Sequence, residues 1–238
     1  MASDETLTSP DAEAAPDAEA PAGDKPGGAG DYRPAVGRPN RQNERRREIL
    51  DASIRLIEGH DLATLRLTDI ADALGLTANA VRYYYKDMDT LLSHLALRSD
   101  QRFYDERKAL VERTPSSAEQ LAVMIAGGLP TDAEDAEWRV IWRAILAAGF
   151  ELDRRSDVQG IYHRQVGLYA EVLARGARSG AFTLVGESTD IAMTLMAMED
   201  YFGYRIVARD PQIDRATGLR LMRGYATTVT GADLPPTD

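Results

Sequence analysis

Apolar residues recur at helical spacing from Asn43 to about Thr230, and no stretch alternates apolar and polar residues between hairpin turn signals. This pattern predicts an all-α protein of about nine helices. We expect them near residues 43–58, 67–74, 77–85, 87–113, 116–127, 138–154, 157–179, 187–209 and 214–230. Proline or glycine follows several of these segments, as is common where helices end.

The same pattern divides the chain into four parts. Residues 1–42 are rich in Ala, Pro, Asp, Glu and Gly and hold almost no large apolar side chains, so they are expected to form a disordered tail, acidic and then basic. Residues 43–86 contain the first predicted helix and two short helices after it, and they are expected to form one domain, a helix-turn-helix DNA-binding domain. Residues 87–231 carry the longer helices of a second domain, and residues 232–238 are expected to be a second disordered tail.

The short helices have the pattern of a helix-turn-helix. Gly75 allows a sharp turn, and Thr77 is a good N-cap for the helix that follows it. Val81 and Tyr85 lie four residues apart on that helix and should therefore point inward. Three consecutive tyrosines at residues 83–85 are by themselves more typical of a core than of a contact surface. A helix, a glycine turn and a second helix are also common in any helical bundle.

The opposite face of this second helix has the chemistry of a major-groove reader. Ala78, Arg82 and Tyr83 are expected to point outward. A small side chain permits close approach to DNA, an arginine can donate two hydrogen bonds to guanine, and a tyrosine hydroxyl can reach phosphate. These properties favour double-stranded DNA as a partner.

Charge supports this interpretation only when it is counted by region. The formal net charge is −10, but residues 1–31 carry −7, residues 32–113 carry +2 and residues 114–238 carry −5. Residues 32–47 hold six arginines and one glutamate, which is suited to phosphate binding. The alternative is that this run is simply a solvated basic start to a helix.

Two segments resemble the DNA-binding module of the tetracycline-repressor (TetR) family of bacterial regulators. They read "ILDAS" at Ile49–Ser53 and "DIADALGLTANAVRYYYKDMDTL" at Asp69–Leu91, and the similarity is close from Arg45 to about Leu97. The family usually has a lysine where Met88 stands, so Lys86 is the candidate for that phosphate contact. The expected DNA-contacting residues are Arg45, Arg46, Arg47, Thr68, Thr77, Ala78, Asn79, Arg82, Tyr83, Tyr84 and Lys86.

The resemblance implies an N-terminal helix-turn-helix domain and a C-terminal helical domain for ligand binding and dimerisation. The last two long helices of each subunit would form a four-helix dimer interface. The expected interface residues are Ile191, Leu195, Met198, Phe202, Ile206, Met222, Tyr225 and Val229. The alternative is that these apolar stripes close the core of a single chain.

The resemblance also implies a pocket for a small apolar ligand among the fourth to eighth helices. Aromatic and methionine side chains suit an adaptable cavity, and a few polar groups could orient a ligand. The candidates are Phe103, Glu106, Trp138, Trp142, Phe150, Tyr162, His163, Tyr169, Met193 and Met196, with Asp200 as a further polar group. Plain core packing is the alternative for each apolar one, and a surface position for His163.

Other functional classes find little support. The chain has no cysteine, and its three histidines are scattered along the sequence outside any metal-ligand or catalytic motif, so we expect no enzyme activity, catalytic residue, metal site or cofactor. No apolar run is long enough for a membrane helix, and the acidic N-terminus lacks the features of a secretory signal, so a cytoplasmic location is expected.

The resemblance therefore implies a ligand-responsive transcriptional regulator. We expect it to be a repressor that binds a palindromic operator as a homodimer and is released by a small apolar effector. The alternative is a helical DNA-binding or interaction protein without a ligand.

Overall fold

The computed structural model describes residues 38–148 and 156–237 of the chain. These residues form nine α-helices and contain no β-strand, which confirms the predicted all-α fold. The helices are α1 (Arg38–Gly59), α2 (Leu67–Ala73), α3 (Ala78–Tyr84), α4 (Met88–Arg113), α5 (Ser117–Gly127), α6 (Ala136–Ala148), α7 (Ser156–Arg178), α8 (Ser188–Val207) and α9 (Arg215–Thr230). Within this part of the chain, no helix has both the length and the apolar character needed to cross a membrane.

Local signals in the sequence set the ends of the short helices. Gly75 adopts a φ of 63°, a left-handed conformation that glycine reaches without steric cost. The Thr77 hydroxyl accepts a hydrogen bond from the Ala80 backbone N–H at 3.2 Å and so caps α3. Asp87 caps α4 in the same way, accepting from the Thr90 N–H at 2.8 Å. These caps and the glycine turn fix α2 and α3 as separate helices ahead of α4.

The first hydrophobic core lies among α1–α3, the start of α4 and α6. Ile49, Ile70 and Val81 supply it from the three short-domain helices, and Leu95 supplies it from α4. Helix α6 adds a row that includes Val140 and packs closely along α4. Helices α4 and α6 lie after residue 87 in the chain, and both contribute residues to this core. The core therefore includes residues from both predicted domains.

The second hydrophobic core lies among the end of α4, α5 and α7–α9. Leu121, Leu173, Leu195 and Met222 are completely buried in it, one from each of α5, α7, α8 and α9. Helix α4 has 26 residues, which corresponds to a length of about 39 Å, and it contributes to both cores. A single rigid element therefore connects the helix-turn-helix unit with the C-terminal bundle.

Both predicted disordered tails need correction where the structure describes them. Helix α1 begins at Arg38, so residues 38–42 belong to a helix, whereas residues 1–37 lie outside the described residues. At the other end, residues 232–237 pack against the bundle. Leu234 is 4% exposed, and its carbonyl accepts a hydrogen bond from Arg223 Nη2 at 2.8 Å. The buried Leu234 side chain and this hydrogen bond to its carbonyl are two of the contacts that attach the segment to the bundle.

Candidate DNA-binding surface and interior cavity

The inner face of α3 is anchored by two buried residues. Val81 has no exposed surface, and Tyr85, which follows the helix, is 2% exposed. The Tyr85 ring meets the His94 ring edge-on, with 5.5 Å between their centroids. Burial raises the pKa of the Tyr85 hydroxyl, and this hydroxyl donates to the Arg46 carbonyl of α1 at 3.4 Å. The two inward positions predicted from the sequence are therefore both occupied by core residues.

The outer face of α3 is polar and open to solvent. Tyr83 is 72% exposed, and Arg82 and Asn79 are exposed beside it. Arg82 Nη1 donates to Asn79 Oδ1 at 3.4 Å, which aligns two side chains that can read base edges. Gln42 Nε2 of α1 donates to the Tyr83 hydroxyl at 3.4 Å. The basic N-terminal part of α1 therefore lies next to the outer face of α3.

Every candidate for DNA contact is at least partly exposed. Arg46, Arg47, Thr68, Thr77, Asn79, Arg82, Tyr83 and Lys86 are exposed, and Arg45, Ala78 and Tyr84 are partly buried. Arg45 forms an ion pair with Glu48 at 2.6 Å on the same face of α1. Tyr84 packs edge-on against Tyr83 and also contacts the first core. We call the exposed parts of these side chains, on α1–α3 and at Lys86 just after α3, the outer surface of the helix-turn-helix.

A small cavity lies deep between α4, α6, α7 and α8. One wall is apolar and aromatic, with the Phe103 and Trp138 rings stacked at 5.4 Å between centroids and 20° between planes. Trp142, Ile141 and Met196 continue this wall. The volume of the cavity is about 20 Å³, which is room for one water molecule and not for a metabolite.

The ligand candidates from the sequence separate into three groups. Phe103, Trp138, Trp142 and Met196 line this cavity, as does the further candidate Asp200. Tyr162 and Tyr169 belong to the second core and do not line it. Phe150 lies outside the described residues.

Three further candidates face away from the cavity, and the prediction was wrong for them. Glu106 is exposed and forms an ion pair with Arg102 at 2.7 Å on the surface of α4. His163 is exposed on α7, and Met193 is 47% exposed on α8. The physical reason is their position around the helix. Each of these residues lies on the side that faces solvent, whereas the apolar side of the same helix faces the bundle.

A buried ionic network also lines the cavity. Arg107 donates from Nη1 to Glu199 Oε1 at 3.1 Å and from Nη2 to Glu199 Oε2 at 3.0 Å, and both side chains are almost completely buried. The Tyr169 hydroxyl donates to Glu199 Oε2 at 2.7 Å, and Arg107 Nη1 also donates to Gln165 Oε1 at 2.6 Å. This network joins α4, α7 and α8.

Burial and pairing act in opposite directions on the pKa values of Arg107 and Glu199. Burial disfavours the charge on Arg107, but the Glu199 charge, the Tyr169 hydroxyl and the hydrogen bonds to both together outweigh this effect and raise the pKa of the guanidinium. Burial raises the pKa of Glu199, and the Arg107 charge and the Tyr169 hydrogen bond act against that rise. Burial also raises the pKa of the Tyr169 hydroxyl far above its ordinary value, so this hydroxyl remains a donor.

Two glycines at the end of α5 make room for the network. A Cβ on Gly128 would overlap the Glu199 carboxylate and lie 2.8 Å from Arg107 Nη2. A Cβ on Gly127 would lie 3.0 Å from Arg107 Cγ. The end of α5 can therefore approach the ion pair only because both positions lack a side chain.

The sequence analysis missed the main members of this network. Asp100, Arg107, Gln165 and Glu199 all line the cavity, and none was a candidate. Glu199 had a detectable signal, because it falls on the apolar stripe of α8 four residues after Leu195. A charged residue inside a buried stripe indicates a buried partner elsewhere in the fold.

Asp200 differs from the other carboxylates of the cavity. It is partly buried, and within residues 38–148 and 156–237 it has no hydrogen-bond or ion-pair partner. Burial and then the negative charge of Glu199 raise its pKa from 3.8 to about 7. Asp100, by contrast, pairs with Arg164 and accepts from Gln165 Nε2 at 3.3 Å.

Most of the residues predicted for the dimer interface lie inside the chain's own core, and the prediction was wrong for them. These residues, Ile191, Leu195, Phe202, Ile206, Met222 and Val229, are at most 7% exposed within a single chain. They pack between α8, α9 and the rest of the bundle, so a partner subunit cannot reach them. Met198 and Tyr225 are partly buried at the border of that core and remain accessible.

The comparisons with known proteins identify the fold. No protein-family model matches the sequence, and no curated protein matches it. Among solved structures, a transcriptional regulator from Saccharomonospora viridis in complex with choline has a TM-score of 0.67 at 21% identity, covering 77% of this chain and 95% of its own. A structure described as a TetR-family transcriptional regulator from Rhodococcus sp. has a TM-score of 0.62 at 21% identity, covering 78% and 98%.

A third similar structure is the transcriptional regulator FadR from Bacillus subtilis in complex with stearoyl-CoA. Its TM-score is 0.60 at 18% identity, and the match covers 78% of this chain and 98% of its own. All three matches span nearly the whole of the solved chain. The described part of this chain therefore has the fold of the TetR-family transcriptional regulators.

Proposed function

We propose that this protein is a DNA-binding transcriptional regulator and not an enzyme. The observation that carries the proposal is the outer face of α3, where Asn79, Arg82 and Tyr83 are exposed while the inner face is fully packed. An arginine and an asparagine aligned on a short exposed helix suit guanine and adenine edges in a major groove. The structural similarity to three proteins described as transcriptional regulators supports the same function.

The arginines of α1 would supply affinity that does not depend on sequence. Arg46 and Arg47 are exposed one helix away from α3, and the Gln42–Tyr83 hydrogen bond holds the two helices together. Contacts of this kind neutralise phosphates and release counterions, so binding should weaken steeply as salt rises. Thr68 and Lys86 lie on either side of α3 in sequence and are placed to add phosphate contacts.

The protein would act as a homodimer on a palindromic operator. The outward face of α8 exposes Met193, Tyr201 and Tyr204, and that of α9 exposes Leu221. We propose this face, in place of the buried stripe beside it, as the dimer interface, with Met198 and Tyr225 at its edge. Two copies of α3 related by a two-fold axis would then read half-sites about 10 base pairs apart.

An effector would act through the cavity and α4. The cavity lies against the middle of α4, between the two cores that this helix joins. Opening the cavity would move α4 relative to the bundle and change the separation of the two recognition helices. The B. subtilis and S. viridis structures were each determined with a bound small molecule, which supports a ligand-responsive role for this chain. Repression in the absence of the effector is part of this proposal.

The second candidate function, a DNA-binding protein without a ligand, is favoured by one observation. The cavity holds only about 20 Å³, and the Arg107 guanidinium and the Glu199 carboxylate that line it already pair with each other. Such a protein would bind DNA through the same surface, with the network serving only to stabilise the bundle.

The test of DNA binding is to recover genomic fragments retained by the full-length protein and to sequence them. We expect a shared palindromic motif with half-sites about one helical turn apart. Retention without any shared sequence would contradict specific recognition by α3.

The dimer is tested by sedimentation of Tyr201→Asp beside the matched variant Leu146→Asp. Both residues are large, apolar or aromatic, and exposed, but Leu146 lies on α6 and is not among the residues proposed for the interface. We expect wild type and Leu146→Asp to sediment as dimers and Tyr201→Asp as a monomer. A wild-type monomer at micromolar concentration would contradict the proposal.

A further inference from the structure

The outer surface of the helix-turn-helix carries cations whose charge is not compensated nearby. Arg45 pairs with Glu48 at 2.6 Å. Arg46, Arg47 and Lys86 are exposed, and none of them has a carboxylate partner within residues 38–148 and 156–237. Exposed charges of one sign attract any polyanion within reach, and DNA is only one such partner. Without DNA, this surface is therefore open to another polyanion.

The chain contains such a polyanion directly ahead of α1. Residues 1–31, which we call the acidic N-terminal segment, hold eight carboxylates and one lysine, a net charge of −7. The sequence Pro-Asp-Ala-Glu-Ala occurs twice, at residues 10–14 and 16–20, and supplies four of these carboxylates. The only large apolar side chains of the segment are Met1 and Leu7. Attraction between charges is therefore the main force by which it can bind another part of the protein.

The start of α1 brings the acidic N-terminal segment close to the outer surface. Helix α1 begins at Arg38, and Gln42 of its second turn donates to the Tyr83 hydroxyl of α3 at 3.4 Å. Asp31 is seven residues from Arg38, which an extended chain spans in at most about 25 Å. Arg47 lies nine residues into the helix, about 14 Å along its axis. The segment is therefore long enough to reach the cations of the outer surface on its own chain.

The groove along the outer face of α9 is a less suitable partner for the segment, although three arginines line it. Arg215 already donates to three backbone carbonyls, and Arg223 donates to the Leu234 carbonyl. Among the described residues, Arg220 is the one arginine of this groove without a hydrogen-bond or ion-pair partner. Asp233 also lines the groove and would repel an acidic segment. The charge of the segment is therefore better matched by the outer surface of the helix-turn-helix.

We propose that the acidic N-terminal segment binds the outer surface of the helix-turn-helix of its own chain when DNA is absent, and that DNA must displace it. A tethered competitor acts at an effective concentration on the order of millimolar, so weak charge contacts are sufficient. The segment competes for phosphate contacts and not for base edges, so it lowers the affinity for every duplex by the same factor. This effect on DNA rests on the proposed function, whereas the contact itself is measured without DNA.

The contact is tested by zero-length carbodiimide cross-linking of the full-length protein without DNA. This reagent joins a carboxylate to an amine in direct contact, and the chain has only three lysines, Lys25, Lys86 and Lys108. Lys86 belongs to the outer surface, whereas Lys108 is exposed on α4, on the same face as Asp105 and Glu112. We expect the acidic N-terminal segment to be joined to Lys86 and not to Lys108, in the gel band of a single chain. The yield should fall severalfold at about 0.5 M salt, where screening is strong.

The effect on DNA is tested with a full-length variant that keeps the size of the side chains. In this amide variant the four carboxylates of the repeated sequence are replaced by Asp11→Asn, Glu13→Gln, Asp17→Asn and Glu19→Gln. We expect it to bind a duplex of random sequence about three- to tenfold more tightly than wild type at about 50 mM salt, and within about twofold of wild type at about 300 mM. Fluorescence anisotropy of a labelled duplex measures both affinities.

The matched control removes four exposed carboxylates from the C-terminal bundle. Its changes are Asp105→Asn, Glu112→Gln, Glu171→Gln and Asp190→Asn. Both variants raise the formal net charge from −10 to −6, so they differ only in where the charges are removed. We expect the control to bind the duplex within about twofold of wild type. Circular dichroism identifies any variant that has lost its fold.

Three results would overturn the proposal. They are equal cross-linking of the segment to Lys86 and Lys108 or no cross-link to either, an unchanged duplex affinity in the amide variant, and an equal gain in affinity for the amide variant and its control. If Lys86 is cross-linked as expected but no protein binds DNA, the contact stands and the proposed DNA-binding function fails. If DNA is bound without that cross-link, the proposed function stands and this inference fails.

Discussion

The two ends of the molecule handle charge in opposite ways. Around α1–α3 the core is apolar, with Ser53 as its fully buried polar side chain, and the arginines stand on the surface. In the C-terminal bundle, Arg107 and Glu199 are buried together, and the Tyr169 hydroxyl donates a hydrogen bond to Glu199. The surface charges are available to a partner, whereas the buried charges are available only to the fold or to a ligand in the cavity.

This difference indicates that mutations at the two ends should have separable effects. Removing a surface arginine should lower the free energy of unfolding only slightly, because exposed charges contribute little to stability. Removing a buried partner leaves the other charge without compensation in a medium that solvates it poorly. Substitutions of the surface arginines should therefore change DNA affinity, and substitutions of the buried pair should change the free energy of unfolding.

The largest expected effect is the loss of stability in Glu199→Ala. This change leaves the Arg107 guanidinium buried without its counter-ion and should lower the free energy of unfolding by about 3–5 kcal/mol. The matched control is Glu106→Ala, which breaks an exposed pair with Arg102 and should cost less than about 1 kcal/mol. Urea denaturation followed by circular dichroism measures both, and equal losses would contradict the contrast between the two environments.

The next largest effect is on how the free energy of unfolding changes with pH, where Asp200 and Asp87 should act in opposite directions. The pKa of Asp200 is about 7 in the folded chain and lower in the unfolded chain, so the folded state holds the proton that the unfolded state releases. Its contribution therefore makes the free energy of unfolding fall as pH rises from about 4 to about 7. An asparagine side chain carries no charge, so it does not lower the free energy of unfolding as pH rises. Because Asp200 is partly exposed, we expect Asp200→Asn to raise this free energy by about 1–3 kcal/mol at alkaline pH and by less under acid conditions.

Asp87 provides the control of opposite sign. Hydrogen bonds from Thr90 lower the pKa of this exposed N-cap, so its stabilisation is present at neutral pH and is lost as the carboxylate becomes protonated in acid. Denaturation of both Asn variants across this range measures the two slopes. A gain for Asp200→Asn that does not change with pH would contradict the assignment of Asp200 as the raised group.

The helices and the outer surface of the helix-turn-helix were largely predictable from the sequence. They depend on local signals, namely the apolar spacing, the Gly75 turn and the Thr77 cap, which act within a few residues of the chain. The inward positions of Val81 and Tyr85 followed from the same spacing. The start of α1 was missed by five residues because its first turn has no apolar residue to extend the pattern.

The interior of the bundle was much less predictable because its partners are distant in sequence. Arg107 and Glu199 are 92 residues apart, and nothing in the local pattern of α4 connects them. The dimer residues were misplaced for a related reason. Helices α8 and α9 have both a buried and an exposed apolar face, and spacing alone does not tell which one meets the rest of the chain.

The most direct test of the account is the affinity of Arg82→Ala for the recovered operator, measured by fluorescence anisotropy beside wild type and Lys108→Ala. Lys108 is an exposed cation on α4, outside the outer surface of the helix-turn-helix, so its removal changes the net charge equally. We expect Arg82→Ala to weaken specific binding by about 1–3 kcal/mol without changing stability, and Lys108→Ala to bind as wild type does. Equal operator affinity for all three proteins would contradict recognition through α3.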